Sequence, residues 1–190
     1  LYYARALSIP WLDGASNNDA TAWLLWPDFE AAWPLINLPS SDKFTVAKEA
    51  MGPWGLPAIN TAILLTSGLT LTFAHWAIKK HDQVKVVYWL FATVALGFIF
   101  VGLQALEYSH AYNDLNLRMD SGIYGSTFYL LTGFHGFHVT MGAIMLLIMM
   151  IRAMKGHFNG KNHFAFEAVA WYWHFVDVVW LGLFVFVYWI

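Results

Sequence analysis

Four stretches of this chain are long and apolar enough to cross a lipid bilayer as helices. They run over roughly 58–78, 84–110, 122–152 and 164–190. Crossing the hydrocarbon layer takes about 20 mostly apolar residues, because a helix rises only about 1.5 Å per residue. A soluble fold would instead have to bury four helices that are apolar almost all round. The charge content decides between the two. Only 12% of residues are charged, against about 25% in soluble domains, so much of the surface does not face water. The expected fold is an all-α membrane protein, an antiparallel transmembrane helix bundle with four complete spans over 58–190. The net charge of -2 gives no reason to expect nucleic acid as a partner. The chain has no cysteine, which excludes thiolate metal sites, iron–sulfur clusters and a Cys nucleophile.

Residues 1–57 read differently. Pro10, Pro27, Pro34, Pro39, Pro53 and Pro57 interrupt them at short intervals. Trp11, Trp23, Trp26, Trp33 and Trp54 suit the headgroup level, where an amphipathic ring is half wet. Leu1 to Leu7 read as the tail of a helix already under way, so the sequence is expected to be a fragment. The rest of the segment is expected to be an external loop lying on the membrane.

Basic residues in short loops set the expected orientation. Lys79, Lys80 and Lys85 follow the first span, and Arg152, Lys155 and Lys161 follow the third; these are six of the ten Lys and Arg. The loop after the second span carries Asp114 and Asp120 against Arg118. Loops 79–85 and 152–163 are therefore expected on the cytoplasmic side, or the matrix side in a mitochondrion. Residues 1–57 and 111–121 are expected on the external side.

Ionisable groups within the spans are costly in hydrocarbon and each requires a partner. In the fourth span Glu167 and His174 are seven apart and share a face. Asp177 lies about 60° further round, and Trp171 joins the stripe. In the third span His135 and His138 share one side. Gly133, Gly136 and Thr140 form a small face nearly opposite, which predicts close approach of another helix there. The histidine side is expected to meet the fourth span. The first span offers Asn60, Ser67 and His75, and the second ends with Gln104, Glu107 and His110 near the external interface. Three readings compete for these groups: interhelical hydrogen bonding or lipid contact, a proton relay, and metal ligation. Histidines three apart are a weak metal signal, and no Glu-x-x-His pair recurs as in di-iron bundles. The reading adopted is an intramembrane polar network or lipid contact through His75, Glu107, His110, His135, His138, Glu167, His174 and Asp177. No catalytic, metal-binding or cofactor-binding residue is expected.

The same residues carry a family resemblance. GIYGSTFYLLTGFHGFHVTMGAI (122–144) and HFAFEAVAWYWHFVDVVWL (163–181) resemble the last two helices of cytochrome c oxidase subunit III. LPAINTAILLTSGLTLTFAHWAI (56–78) and LGFIFVGLQALEY (96–108) resemble its fourth and fifth helices. LYYARALSIPW resembles the end of the third helix in bacterial members, while 12–50 match loosely. The resemblance implies a seven-helix subunit of which this chain holds the last four spans. It implies a supporting, non-redox role in a proton-pumping oxidase that reduces O2 with electrons from cytochrome c. Haem and copper would sit in partner subunits, with subunit I as the main contact, subunit II as a second partner, and structural phospholipid bound to this one. Cytochrome c would act on the complex rather than on this chain. The implied location is a bacterial inner membrane, or the mitochondrial inner membrane in a eukaryote. Subunit III of a quinol oxidase is the nearest alternative, and a small ion transporter a more distant one.

Overall fold

Each apolar stretch forms one long helix. The computed structural model describes residues 47–158 and 163–189. Helix α1 spans Leu56–Lys79, α2 Gln83–Asn113, α3 Gly122–Met154 and α4 Phe164–Leu183. A π-helical turn, Phe184–Trp189, continues α4. The first 46 residues, and with them most of the expected external loop, lie outside the described residues.

The helix ends follow from local chemistry. Pro57 sits in the first turn of α1, where its missing N–H costs nothing. At the other end His81 takes a left-handed φ of 56°. Its N–H bonds to the Ile78 carbonyl at 3.0 Å, and that of Asp82 to Ala77 at 3.1 Å. These paired bonds close the helix and satisfy two carbonyls that have no partner within it. Asp82 then caps α2 by accepting from the Lys85 N–H at 3.2 Å. Helix α3 ends by the same device, with Gly156 at φ 70° and bonds from Gly156 to Ala153 and from His157 to Arg152.

Side-chain pairs show the helices running antiparallel. Between α1 and α4, His75 meets Glu167, Ser67 meets Trp173 and Thr61 meets Trp180. One sequence number falls as the other rises. Between α1 and α2, Thr70 meets Thr93 and Asn60 meets Gln104. Between α2 and α3, Gln83 reaches the Ala153 carbonyl and Tyr108 meets Thr132. Helix α4 packs on both α3 and α1, so the bundle closes on itself.

The interior is filled by Trp173, Trp180, Phe100, Phe128 and Phe166 with leucines between them. The outside is apolar as well. Only 28% to 39% of the most apolar window in each span is buried, and Leu69, Phe91, Phe134, Phe175 and Phe186 point outward. An exterior this apolar requires a non-aqueous surrounding. The chain is a multi-pass membrane protein.

Residues 47–54 dock at one end of the bundle. The Lys48 N–H bonds to the Leu115 carbonyl at 2.9 Å, and the Met51 N–H to the Tyr124 hydroxyl at 3.2 Å. Trp54 lies against Trp189, their ring centroids 5.4 Å apart. The end of the leader, the 114–121 loop and the end of the described chain therefore share one end. Residues 80–82, 155–158 and 163 occupy the other.

Candidate functional site

The polar residues of the spans fall into three levels along the bundle. At the end carrying residues 80–82 and 155–158, α1 contributes His75, the residue just before α4 contributes His163, and the first turn of α4 contributes Glu167. His163 Nε2 lies 3.1 Å from Glu167 Oε1, and His75 Nε2 lies 3.2 Å from the same oxygen. His163 is the residue just before α4 and stands one turn from Glu167, whose N–H bonds to its carbonyl at 3.1 Å, so the first turn of the helix alone brings the pair together. His75 arrives through the antiparallel register. All three side chains are half-buried.

The middle level is organised by two indoles. The Trp173 indole N–H donates to Ser67 Oγ at 2.9 Å, and that of Trp180 donates to Thr61 Oγ1 at 2.9 Å. Each hydroxyl in turn donates to its own helix, Ser67 to the Leu64 carbonyl and Thr61 to that of Pro57. Trp173 is fully buried between two glycines. A Cβ on Gly97 would come within 2.7 Å of its ring, and one on Gly142 within 2.8 Å. This side chain thus touches all three other helices. Near it, Asp177 Oδ2 lies over Gly68, where a Cβ would be only 2.5 Å away. His174 Nδ1 is 3.6 Å from that oxygen, which is an ion-pair distance rather than a hydrogen bond.

The third level lies toward the other end. Glu107 is fully buried and accepts from the Tyr188 hydroxyl at 2.7 Å. Asn60 Nδ2 donates to Gln104 Oε1 at 3.4 Å. Asn60 Oδ1, Gln104 Nε2 and Glu107 Oε2 are buried without a protein partner among the described residues. No cation reaches this cluster among the hydrogen bonds and ion pairs of the described residues.

Several residues singled out in the sequence prove to have separate surroundings. The stripe on the fourth span divides: Glu167 joins the histidines, Asp177 turns inward and Trp171 is exposed. His135 is buried and stacks on Trp180 with ring centroids 4.9 Å apart. His138 is exposed, its Nδ1 2.8 Å from the Tyr172 hydroxyl. Both histidines do meet α4. His110 is exposed and pairs at 2.6 Å with Asp114, just past the end of its helix, outside the Glu107 cluster. The small face of Gly133, Gly136 and Thr140 is not where described helices approach closely. A Cβ on Gly136 meets nothing within 4 Å, and one on Gly133 meets only the Tyr108 hydroxyl, at 3.6 Å. Small residues permit a close neighbour, but here the space is taken up where the Trp173 indole enters, at Gly97 and Gly142.

Sequence reasoning passed over His163 and Tyr188. His163 carries a readable signal, since it stands four residues before Glu167. Tyr188 carries none, because the π turn changes the side it faces.

A sequence model of the family described as cytochrome c oxidase subunit III matches residues 23–190. The chain belongs to the cytochrome c oxidase subunit III family. It is 55% identical over 139 residues to cytochrome c oxidase subunit 3 of Marchantia polymorpha, covering 73% of this chain and 51% of that protein. It is 51% identical over 141 residues to the Arabidopsis thaliana protein of that name, covering 74% and 52% respectively. To the Struthio camelus protein it is 42% identical over 163 residues, covering 86% and 57%. The chain thus spans about half the length of the curated relatives it matches. These cytochrome c oxidase subunit III relatives come from plants and an animal, whereas the resemblance read from LYYARALSIPW pointed to bacterial members.

Proposed function

We propose that this chain is a non-redox, membrane-embedded subunit of a terminal oxidase that reduces O2 with electrons from cytochrome c. The observation that carries this reading is the family match over residues 23–190. Haem and copper belong to partner subunits, with oxidase subunit I as the main contact and subunit II as a second. Phospholipid and neighbouring subunits cover the outward apolar faces. The polar residues act as internal ties: a group that loses its partner in low dielectric costs about 1–3 kcal/mol, so paired groups fix how the helices meet. This chain supports proton uptake and turnover stability in its partner rather than carrying electrons. Loops 79–85 and 152–163 face the cytoplasm or matrix, as the basic residues favour.

Affinity purification of the tagged chain from its own membranes tests the reading. The expected result is co-migration with a haem-bearing subunit and a copper-bearing one. Copper in the second partner separates a cytochrome c oxidase from a quinol oxidase. A purified complex without haem overturns the proposal.

A further inference from the structure

We propose that His75, His163 and Glu167 form a reversible Zn2+ site that ties the end of α1 to the start of α4. The donor atoms are already gathered. Glu167 Oε1 lies 3.1 Å from His163 Nε2 and 3.2 Å from His75 Nε2. One ligand atom from each residue lies within 4.8 Å of the others. Zinc binds imidazole nitrogen and carboxylate oxygen at about 2.0–2.2 Å in a tetrahedron, which places neighbouring ligand atoms about 3.3–3.6 Å apart. The two contacts to Glu167 are therefore close to the required spacing before any ion arrives. Only the two histidine nitrogens need to adjust, by small ring rotations.

The donor set selects the ion. Two imidazoles and a carboxylate suit Zn2+, whereas Ca2+ and Mg2+ take mainly oxygen ligands. Three protein ligands leave a fourth position for water. The side chains are 27% (His75), 14% (His163) and 37% (Glu167) exposed, so an ion can reach them from that end of the bundle. The site is also held in place. His163 caps the helix that carries Glu167, and the His75 ring packs on Phe166 with centroids 5.8 Å apart. Lys79, one turn beyond His75, is a neighbouring cation and opposes the ion, which favours reversible over permanent binding. Ligation through Nε2 takes the lone pair of each imidazole and leaves the remaining ring proton on Nδ1. The consequence is mechanical: the ion fastens the first described helix to the last one.

The test uses the intact chain purified in detergent with whatever co-purifies, stripped with a chelator and then titrated with Zn2+. Bound zinc is counted by elemental analysis after equilibrium dialysis. Wild type is expected to bind one more equivalent than His163→Gln or Glu167→Gln, or to bind it about tenfold or more tightly. His110→Gln, at the other end of the bundle, is expected to match wild type. A second readout needs no variant. Zn2+ should protect His75 and His163 from diethyl pyrocarbonate, read by peptide mass spectrometry, and leave His110 reactive. Equal stoichiometry and affinity in wild type and both site variants overturn the proposal, as does unprotected modification of His75 and His163 at saturating Zn2+. Because the zinc count and the modification pattern concern this chain alone, either result stands whether or not a haem subunit co-purifies.

Discussion

Replacing Gly142 with alanine should destabilise the bundle, and the size of the effect follows from one side chain. The added Cβ would lie 2.8 Å from Cε3 and 3.0 Å from Cζ3 of Trp173, and 3.2 Å from Cε1 of Tyr172. Carbon atoms rest comfortably at about 3.5–4.0 Å, so the ring would have to move by roughly half an ångström or more. It has nowhere to go. Trp173 is wholly buried, its N–H is held by Ser67 at 2.9 Å, and Gly97 closes off its far side. Overpacking of this kind costs about 1–3 kcal/mol. Gly97→Ala should cost a similar amount, and the double variant should depart from additivity because both changes press on one ring. Gly136→Ala is the control. Its Cβ meets nothing within 4 Å, and alanine is the better helix former by about 1 kcal/mol. The assay is the thermal unfolding midpoint of the purified complex together with the fraction of subunit retained. Trp173→Phe in the Gly142→Ala background should recover part of the loss by making room. If Gly142→Ala and Gly136→Ala unfold at the same temperature, Trp173 is not the wedge described here.

Other consequences are open to direct measurement. Tyr188→Phe removes the hydroxyl that donates to buried Glu107 and should cost about 1–3 kcal/mol; an unchanged midpoint would mean that Glu107 finds another donor. The side-chain and backbone hydrogen bonds from Lys85 hold the Asp82 carboxyl below its usual range. The folded protein therefore favours the carboxylate, so this contribution is complete above the ordinary carboxylate range and fades as pH falls through the lowered value. The midpoint difference between wild type and Asp82→Ala should accordingly be present at neutral pH and shrink in acid; a difference that grows in acid would reverse the sign. The chain has no native cysteine, so Lys80→Cys and Asp120→Cys can be labelled cleanly. Lys80→Cys should react from the cytoplasmic or matrix side and Asp120→Cys from the other, and labelling of both from one side would contradict the antiparallel path.

The spans were legible because length and apolarity are properties of a stretch and survive any error of detail. The expected spans begin and end within a few residues of α1 to α3 and of α4 taken together with its π turn. The chief differences come where a helix outlasts its apolar run, as α2 does in reaching Asn113. Which face meets which neighbour was harder to read. His135 and His138 are about 60° apart on α3, yet the edge of the packed face falls between them, so one is buried and the other exposed. The stripe of small residues meets no close described helix for a related reason. Closeness in these helices is set by where a large ring must enter, and neither Gly97 nor Gly142 has a second glycine three or four residues away to announce it. Tyr188 was hidden by geometry. Counted at α-helical pitch it lies about 80° round from Trp180, but the wider π turn rotates less per residue and brings Val187 and Tyr188 back onto the core.

The pairing of α1 with α4 shows how polar groups can specify register where the hydrophobic effect between helices is absent. Ser67 and Thr61 each commit their hydroxyl proton to a carbonyl of their own helix, at 2.6 Å and 2.8 Å. Each oxygen is then left as an acceptor, and only a donor from another helix can use it. A phenylalanine at 173 or 180 could fill volume there but could not donate. The indole is the aromatic that fills the interior and carries an N–H. Trp173 and Trp180 stand seven apart on α4, and their acceptors Ser67 and Thr61 stand six apart in the reverse direction on α1. Sliding α4 by one turn in either direction would misplace both donors and would also part His75 from Glu167. Apolar packing alone would tolerate several such offsets. Three polar contacts, spread from one end of the helix pair to beyond its middle, leave one.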